Sequence, residues 1–452
     1  MSAKTPARAN LKVQQRRSQP TRGQARFAFT VLLIINVLNY ADRYILSAVL
    51  PKIHADLGLT SLEEGLLGSS FLFVYAIATL PLGVWADRSV RKNIVGLCVG
   101  IWSVATVLAG VAQNFIQLFF ARSVLGIGEA GYAPASLSLL GDFFSKAHRG
   151  RVLSYWSMGT LLGAAVGFTI GGLIADSLGW RWAFFVVGVP GLVCALLAWR
   201  MAEPTRGAFD TDDERATSTE ETSEAETAIH GGIGKNFWGT VGRLRSIPTY
   251  WVLVGALVFS FFTIGGTSYW LPTYIVNDFH LNLTKAGLLS GIVLVTSGLV
   301  GTVVGGWLAD TWQRRWPEGR LLVATLGLLV GAPLVLLALF LHTLWLFVAV
   351  FILAGITLNF CTGPLNAVIQ DVIAPEMRST AIGLSLLLAH LLGDAASPLA
   401  IGALAGQIPL GTALLITAPT SLFIAGLVCL LGLRTVAKDM QRMKQTLPQD
   451  QK

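Results

Sequence analysis

Residues 117–144, QLFFARSVLGIGEAGYAPASLSLLGDFF, place two charged side chains inside an otherwise apolar stretch. Arg122 and Glu129 are seven residues apart, so on a helix they share one face with Gly126 and Ala133. A charge near the centre of a bilayer costs at least about 2.5 kcal/mol, so ionisable groups there normally face a bundle interior or a watery cavity. The stretch therefore predicts a membrane helix with a functional polar stripe. An ion pair that only packs helices is the structural alternative.

The composition of the whole chain agrees with a membrane setting. Of its 452 residues, 53% are hydrophobic and 13% charged, which is too few polar side chains for the surface of a soluble protein. The first 26 residues carry seven basic side chains and no acid, and no short apolar segment with a cleavage site follows. We therefore expect no removable signal peptide. The four cysteines are scattered singly through apolar runs, so we expect neither a disulfide framework nor a metal site.

Apolar windows long enough to cross the roughly 30 Å hydrocarbon core form two groups of six. They lie at about 27–50, 63–86, 93–114, 117–144, 150–175, 181–201, 250–276, 284–309, 320–341, 345–371, 377–403 and 409–433. We expect an all-α polytopic membrane protein with two pseudo-symmetric six-helix bundles. Its expected parts are a basic N-terminal arm (1–26), a first bundle (27–202), a linker (203–249), a second bundle (250–434) and a tail (435–452). The linker reads as acidic and flexible at first, and as amphipathic from Asn236 to Arg245.

Basic residues are distributed unevenly between alternate loops. The loops on the side of the N-terminal arm hold most of them, and the opposite loops hold only Lys52, Arg181 and Lys285. This bias predicts that both termini lie in the cytoplasm. We expect the membrane to be a bacterial inner (plasma) membrane. The same rule explains the net charge of +8, so we expect the lipid bilayer as a partner and no nucleic acid.

Two motifs recur at corresponding places in the two groups of spans. GVWADRSVRK (83–92) follows the second span, and GWLADTWQRR (306–315) follows the eighth, 223 residues later. Asp142 and Arg149 bracket the loop after the fourth span, and Asp371 and Arg378 bracket the loop after the tenth, 229 residues later. Such agreement implies two halves related by a parallel repeat. The organisation and the first loop motif resemble the major facilitator superfamily, with Val90 where that family usually has Gly.

The loop motif suggests a gate on the inner side. Asp87 can accept hydrogen bonds from a neighbouring helix N-terminus, and the basic residues after it can pair with Asp142. Contacts formed only while the inner side is closed would set the balance between inward-facing and outward-facing states. Charges that only fix the topology are the alternative. The predicted gating residues are Gly83, Asp87, Arg88, Arg91, Lys92, Asp142, Arg149, Asp310 and Arg314.

Within the first half the resemblance is narrower. NYADRY (39–44), RSVLGIGEAGYAP (122–134) and GDFF (141–144) resemble the spinster family of facilitators. That resemblance implies export of lysophospholipids or sphingosine 1-phosphate, coupled to protons. It covers residues of about 30–200, and the second half resembles facilitators only in general.

Two acids and two arginines dominate the candidate site. Asp42 lies about eight residues from the outer end of the first span and Arg122 about five from that of the fourth, so an ion pair between them is predicted. An acid that moves between an apolar setting and a nearby arginine loads and releases a proton. A permanent salt bridge is the alternative. Arg43 could be a second anion contact, a gate latch, or a side chain that reaches the interface.

Further candidates lie near these four residues. His390 and Asp394 form an i, i+4 pair in the eleventh span and could extend a proton route or polarise the cavity. We assign proton coupling to Asp42 and Glu129, and substrate binding to Arg43, Arg122, Tyr132, His390 and Asp394. The run 126–131 matches G-x-G-x-x-G but follows no strand, so close helix packing explains it better than a phosphate cradle. Gly265, Gly266 and Pro272 suggest a break in the seventh span, either as a gate or as packing of a kinked helix.

The function class follows from what the sequence contains. There is no G-x-S-x-G and no H-E-x-x-H, so we expect no catalytic residues, no metal and no cofactor. A sensor usually needs a sizeable soluble output domain, and the longest polar stretch is a linker of under fifty residues. We expect a monomeric, proton-coupled secondary transporter that works by alternating access on an amphipathic anion. Alternatives are a symporter of a small organic anion, such as a sugar acid or other carboxylate, and a drug efflux protein. Substrate, direction and stoichiometry stay open.

Overall fold

The computed structural model describes residues 20–209 and 233–446, apart from a few side chains that include Asp87. Within these ranges every regular element is a helix, and twelve membrane segments follow one another. They are α1 (Arg22–Leu57), α2 (Ser61–Arg88), α3 (Arg91–Gly110), α4a (Phe115–Ala130), α4b (Tyr132–Phe143), α5 (Lys146–Ser177), α6 (Trp180–Trp199), α7 (Pro248–Phe279), α8 (Leu283–Gln313), α9 (Gly319–Phe340), α10a (Leu344–Leu358), α10b (Thr362–Val372), α11a (Arg378–Leu388), α11b (Ala396–Ala405) and α12 (Leu410–Gly432). The predicted fold class is confirmed.

The first helix is longer than its hydropathy suggested. Thr21 and Gln24 form a capping box at its N-terminus, and Gly58 ends it in the left-handed conformation with φ 63°. Pro51, where the sequence predicted an end, costs one backbone hydrogen bond but does not stop the helix. The two extra turns are held by packing, because Ile53 is fully buried.

Three membrane segments are broken, and two of the breaks are related by the repeat. The fourth is interrupted at Gly131 and the tenth at residues 359–361, and the middle of the second break is 229 positions after the first. Eleven helical segments of the described residues are long and apolar enough to cross a membrane, and the fourth segment is not among them. A π-helical segment, Ala389–Asp394, separates α11a from α11b. The seventh segment, where the sequence suggested a break, is one continuous helix.

The two halves meet at one end of the bundle. We call the end at which α1 begins the bottom and the end at which it finishes the top. Near the top, α5 packs on α8 and α2 packs on α11b. These helices approach so closely that an added Cβ at Gly65 would lie 2.5 Å from the carbonyl oxygen of Pro398. The backbone N–H of Thr284 in α8 also donates to Asp176 in α5 at 2.8 Å. The top is therefore closed by direct contact between the halves.

The linker and the tail each contribute a short helix outside the membrane segments. One spans Ile233–Leu244, in the region predicted to be amphipathic, and the other spans Val436–Thr446. Asp439 in the second is buried and accepts hydrogen bonds from the backbone N–H and the hydroxyl of Thr249, at 3.2 and 2.7 Å. This contact ties the tail helix to the start of α7. Residues 1–19, 210–232 and 447–452, which hold most of the predicted arm and the acidic linker, lie outside the described residues.

Glycines set the close approach of helices within the first half. An added Cβ at Gly126 would lie 2.6 Å from the carbonyl oxygen of Phe71 in α2, and one at Gly128 would lie 2.6 Å from the backbone nitrogen of Trp102 in α3. In α5, an added Cβ at Gly167 would overlap the backbone of Ala41 in α1. The glycine run of the fourth segment therefore serves helix packing, as predicted.

We expect Gly167→Ala to destabilise the protein because the added methyl group overlaps the backbone of α1, next to Asp42. Overpacking of this kind costs about 1–3 kcal/mol. Gly100→Ala is the matched control, since its Cβ would lie 3.9 Å from the Cβ of Ala195. The measurement is the thermal unfolding midpoint of each purified variant in detergent. A midpoint for Gly167→Ala equal to that of Gly100→Ala would contradict this account.

Candidate functional site

Two buried ion pairs join α1 to α4a. Arg43 donates from Nε to Glu129 Oε2 at 2.6 Å, and Arg122 Nη1 lies 3.5 Å from Asp42 Oδ1. The Asp42 and Glu129 side chains are fully buried, and that of Arg122 is 2% exposed. Thr106 of α3 donates to the second oxygen of Asp42. The Asp42–Arg122 contact is present as predicted, whereas the partner of Arg43 was not foreseen.

Aromatic rings surround the two guanidinium groups. The Cζ atom of Arg43 lies 4.6 Å from the ring centroid of Tyr75, 4.9 Å from that of Tyr40 and 5.2 Å from that of Phe71. Arg122 approaches the Phe71 ring as well, at 5.2 Å. Ring faces attract cations, and a desolvated pair of this kind contributes about 2 kcal/mol. The rings therefore hold both arginines without fully occupying their hydrogen-bond donors.

The network leaves capacity for another ligand. Among the described residues, Arg122 Nε and Glu129 Oε1 are buried and have no hydrogen-bond partner. A buried polar atom without a partner costs about 1–3 kcal/mol, so such atoms call for a specific explanation. A bound donor or acceptor at this position would satisfy them.

A cavity of about 130 Å³ lies between the halves beside this network. Arg43 and Arg122 line it from the first half, and Asp394 and Tyr269 line it from the second. The remaining lining is mostly aromatic and aliphatic: Tyr40, Tyr44, Phe71, Leu72 and Ile264, with Ser47, Gly68, Gly265, Ser268 and Pro398. The cavity thus combines two cations, one acid and an apolar wall.

The π-helical segment brings an acid to this cavity. His390 Nδ1 lies 2.8 Å from Asp394 Oδ2, and Asp394 Oδ1 is buried with no partner among the described residues. Asp394 lines the cavity. His390 contacts Asp394 but does not line the cavity, and its ring packs edge-on against Phe261. Gly265 of α7 makes room, because a Cβ there would lie 2.5 Å from that of Asp394. The glycines of α7 therefore serve packing against α11 rather than a break in the helix.

Tyr132 is placed away from the cavity. Its hydroxyl donates to the carbonyl oxygen of Leu32 at 2.7 Å, and its ring packs edge-on against Trp102. The residue is 1% exposed and is not among the residues that line the cavity. This position gives Tyr132 a packing role inside the first half, unlike the substrate contact that the sequence suggested.

A larger groove of about 1150 Å³ lies elsewhere, on the outside of the first half. Residues of α3, α4a and α6 line it, and they include Val104, Leu108, Ile116 and Phe120 but no charged side chain. These four side chains are 48–62% exposed. An apolar, exposed surface on a membrane helix faces lipid tails. We therefore take the smaller, charged cavity as the candidate site.

At the bottom of the first half, Arg91 connects several backbone segments. It is 1% exposed, pairs with Asp142 through Nη1, and donates to Glu203 Oε1 and the carbonyl oxygen of Pro204, both at 2.9 Å. Asp142 accepts from the backbone N–H of Gly207 at 3.0 Å. These contacts lie within one half and form while the top is closed. The gating role of Arg91 and Asp142 stays a prediction.

The other residues of the motif have more local contacts. Lys92 donates to the carbonyl oxygen of Met201, and Arg149 to that of Gly141, at 2.9 and 2.7 Å. Arg88 is exposed at the end of α2. A Cβ at Gly83 would meet no atom within 4 Å, so space does not require glycine there. The side chain of Asp87 lies outside the described residues.

The second half repeats this arrangement with a different arginine. Arg320 donates to Asp371 Oδ2 at 2.8 Å and to Asp310 Oδ1 at 3.1 Å. It stands 229 residues after Arg91, the offset that also relates Asp142 to Asp371. The sequence alignment chose Arg314, which is exposed at the end of α8. The structure shows that Arg320, not Arg314, is the counterpart of Arg91. The loop between α8 and α9 is longer than the loop between α2 and α3, so the basic partner lies six residues later than the motif predicted.

Comparison with known proteins agrees with the fold and the motifs. The family model described as Major Facilitator Superfamily matches residues 32–398. Protein spinster homolog 1 of Xenopus tropicalis is 30% identical over 401 residues, which cover 85% of this chain and 73% of that protein. The chain belongs to the spinster family of the major facilitator superfamily. The family and the fold are those of a membrane transporter, not an enzyme.

Other relatives of this spinster-family chain come from distant organisms. A protein of Arabidopsis thaliana named probable sphingolipid transporter spinster homolog 1 is 26% identical, over 81% of this chain and 80% of its own length. A crystal structure described as a bacterial homolog of the human lysosomal transporter spinster, inward-facing and unoccupied, aligns with a TM-score of 0.76 and 22% identity. The alignment covers 94% of this chain and 99% of that one. It supports the fold alone.

Arg320→Gln tests the corrected assignment in the second half. Two half-exposed ion pairs contribute roughly 1–2 kcal/mol together, so the variant should have a lower thermal midpoint in detergent. Arg314→Gln is the matched control and should change stability by less than about 0.5 kcal/mol. Equal midpoints for the two variants would favour the original alignment.

Proposed function

We propose that this spinster-family transporter couples protons to the movement of an amphipathic anion. One observation carries the proposal: two buried acids hold one buried and one partly buried arginine beside a cavity between the halves. The four charges balance when both acids are ionised. A proton on either acid would leave an arginine with a net positive charge in an apolar setting, which is costly unless an anion binds.

The proposed coupling follows from this charge balance. Protonation of Asp42 or Glu129 weakens its hold on Arg122 or Arg43, and the freed guanidinium binds a phosphate or carboxylate of the substrate. Protons and an anionic head group therefore bind together. When the acids lose their protons, they recapture the arginines and the anion is released. Asp394 lines the same cavity from the second half and acts on the substrate from that side, and His390 acts through its contact with Asp394.

The cavity wall supports an amphipathic substrate. Phe71, Tyr44 and Ile264 offer apolar contact next to the two arginines. The volume of about 130 Å³ is well below the roughly 300 Å³ or more of typical ligand pockets, so in this state the cavity accommodates a head group rather than a whole lysolipid. A lysophospholipid or a sphingoid phosphate is the substrate class that this chemistry favours, in line with the sphingolipid transporter named among the relatives.

We propose that the closed top belongs to one state of an alternating-access cycle. If the positive-inside bias sets the orientation, the bottom is cytoplasmic, the top is periplasmic, and the chain is in an inward-facing state in a bacterial inner membrane. The solved relatives are described as inward-facing, which supports this assignment. We propose that Arg91 with Asp142, and Arg320 with Asp371, brace the helix ends within each half, so that each half moves as one body.

The second candidate is proton-coupled transport of a small organic anion. The size of the cavity favours it, because a sugar acid or another small carboxylate would fit entirely where only the head group of a lipid fits. Thermal stabilisation of the purified protein by a panel of lysolipids and sugar acids separates the two, since a ligand stabilises the state that it binds. Drug efflux is a further outcome of the same panel if cationic drugs are included.

Asp42→Asn and Glu129→Gln test the proton coupling. In proteoliposomes, each variant should still fold and exchange substrate across the membrane, because the amides imitate protonated acids. Each should lose accumulation driven by a proton gradient. Asp56→Asn is the control, since Asp56 pairs with Arg181 at the top surface and its side chain is 47% exposed. Gradient-driven accumulation by both site variants at the rate of the control would refute the proposed coupling.

Arg122→Lys tests the role of this arginine in anion binding. Lysine keeps the positive charge but loses the planar pair of donors, so affinity for a phosphate or carboxylate ligand should fall by roughly tenfold or more. Isothermal titration with the best ligand of the panel measures it. Lys52→Arg is a charge-matched control at the top of α1. Unchanged affinity in Arg122→Lys would indicate a purely structural arginine.

A further inference from the structure

A second buried acid lies at the top of α2, away from the central network. Glu63 and Glu64 are neighbours, but only Glu63 belongs to the capping box, where its carboxylate accepts from the backbone N–H of Thr60 at 2.8 Å. The Glu64 residue is 4% exposed and its side chain 5%. Burial of a carboxyl group without a strong partner is costly and calls for an explanation.

The face of α2 that carries Glu64 packs against the second half of the molecule. Gly68 follows it by one helical turn, and a Cβ at Gly68 would lie 2.6 Å from the ring of Tyr269 in α7. The Tyr269 hydroxyl donates to the backbone carbonyl oxygen of Glu64 at 2.5 Å. On the adjoining stripe, Gly65 and Ser69 contact Pro398 and Leu399 of α11b. Separation of the halves at the top would therefore uncover this face of α2.

Few charged groups face the Glu64 carboxyl group. His54 of α1 is its one ion-pair partner among the described residues, with Nδ1 at 3.3 Å from Oε1, and the histidine side chain is 52% exposed. Other charged groups near the top of α1 are engaged elsewhere: Lys52 donates to the carbonyl oxygen of Ala175, and Asp56 pairs with Arg181.

The other elements packed on α2 add little charge at this level. The helix α11b has no titratable residue, and α7 presents the Tyr269 hydroxyl there, while its Asp278 lies beside Gly411. From α4a and the π-helical segment, Arg122, Glu129, His390 and Asp394 belong to the central site. That site is about 10 Å below Glu64, because Arg122 contacts the ring of Phe71, seven residues further along α2.

We propose that Glu64 is a separate proton-binding site on the top side, reached through His54, and that a proton bound there stabilises the closed top. A buried carboxyl group is less costly when it is neutral, and a carboxyl group uncovered by opening is well solvated when ionised. The proton enters from solvent at the top through the exposed imidazole as the halves close. It returns to that solvent when they separate. The proposal rests on alternating access but not on the roles of Asp42 and Glu129.

The pH dependence of the equilibrium between the closed and the open top tests this proposal directly. Spin labels on Leu62→Cys in the first half and Gln407→Cys in the second report the closed and open populations by pulsed electron resonance; both positions are exposed, and the four native cysteines are buried. One linked proton changes the ratio of closed to open molecules by up to tenfold per pH unit. Glu64→Gln should remove this dependence, lower the slope of log ratio against pH by up to one, and hold the top closed at high pH. Glu63→Gln should keep the slope of the parent.

An unchanged slope in Glu64→Gln would overturn the proposal. A second measurement protects against a variant that folds poorly. The infrared band of a protonated carboxylic acid is recorded on the unlabelled protein above the ordinary titration range of exposed carboxyl groups, and it should lose intensity in Glu64→Gln and not in Glu63→Gln. A band of equal intensity in both variants would show that Glu64 does not hold a proton in the closed state. Neither readout depends on transport. Failure of this proposal can therefore be distinguished from failure of the proposed coupling, which is tested by proton-driven transport in Asp42→Asn and Glu129→Gln.

Discussion

The cost of placing charge in the interior of a membrane bundle governs the first half of this protein. Asp42, Arg43, Arg122 and Glu129 are tolerated there because each finds an opposite charge on the facing helix. The resulting network is neutral and only just satisfied, since Arg122 Nε and Glu129 Oε1 keep no partner among the described residues. A neutral, under-satisfied network responds strongly to one added proton or one added anion. The same constraint that makes these residues costly therefore makes them suited to the coupling that we propose.

Close helix contact supports the network and also closes the top of the bundle. Glycines on α4a and α5 bring α1, α2 and α3 within backbone contact, which fixes the depth at which the charges meet. Glycines on α2 and α8 serve the same purpose between the halves, at the top. Contacts of this second kind must break and re-form if access alternates, whereas those of the first kind need not. Small residues thus stabilise both the interior of a half and the contact between the halves.

Each half also carries a bridge at its bottom end. The pairs Arg91–Asp142 and Arg320–Asp371 occupy equivalent positions of the repeat. The first joins the start of α3 to the end of α4b, and the second joins the start of α9 to the end of α10b. The first bridge is extended by Glu203 and Gly207, which attach the start of the linker to the first half. The breaks at Gly131 and at residues 359–361 recur in the same register. The repeat is therefore preserved in local backbone geometry as well as in helix order.

The sequence by itself determined the twelve spans, the repeat and the charged residues inside the spans that needed a functional explanation. Hydropathy, the cost of buried charge and motif spacing are local properties of the chain, so they can be read without the fold. It also predicted the Asp42–Arg122 contact, although α1 runs seven residues beyond the expected end. Tertiary structure decided the rest. The pairing of Arg43 with Glu129, the place of Tyr132 among Leu32 and Trp102, and the choice of Arg320 over Arg314 depend on how each helix is rotated and how long one loop is. The packing of α2 around Glu64 depends on a contact with the other half, more than two hundred residues away along the chain. A stretch of sequence specifies which side chains share a helical face, but the partner helix that covers that face is set by packing between distant segments.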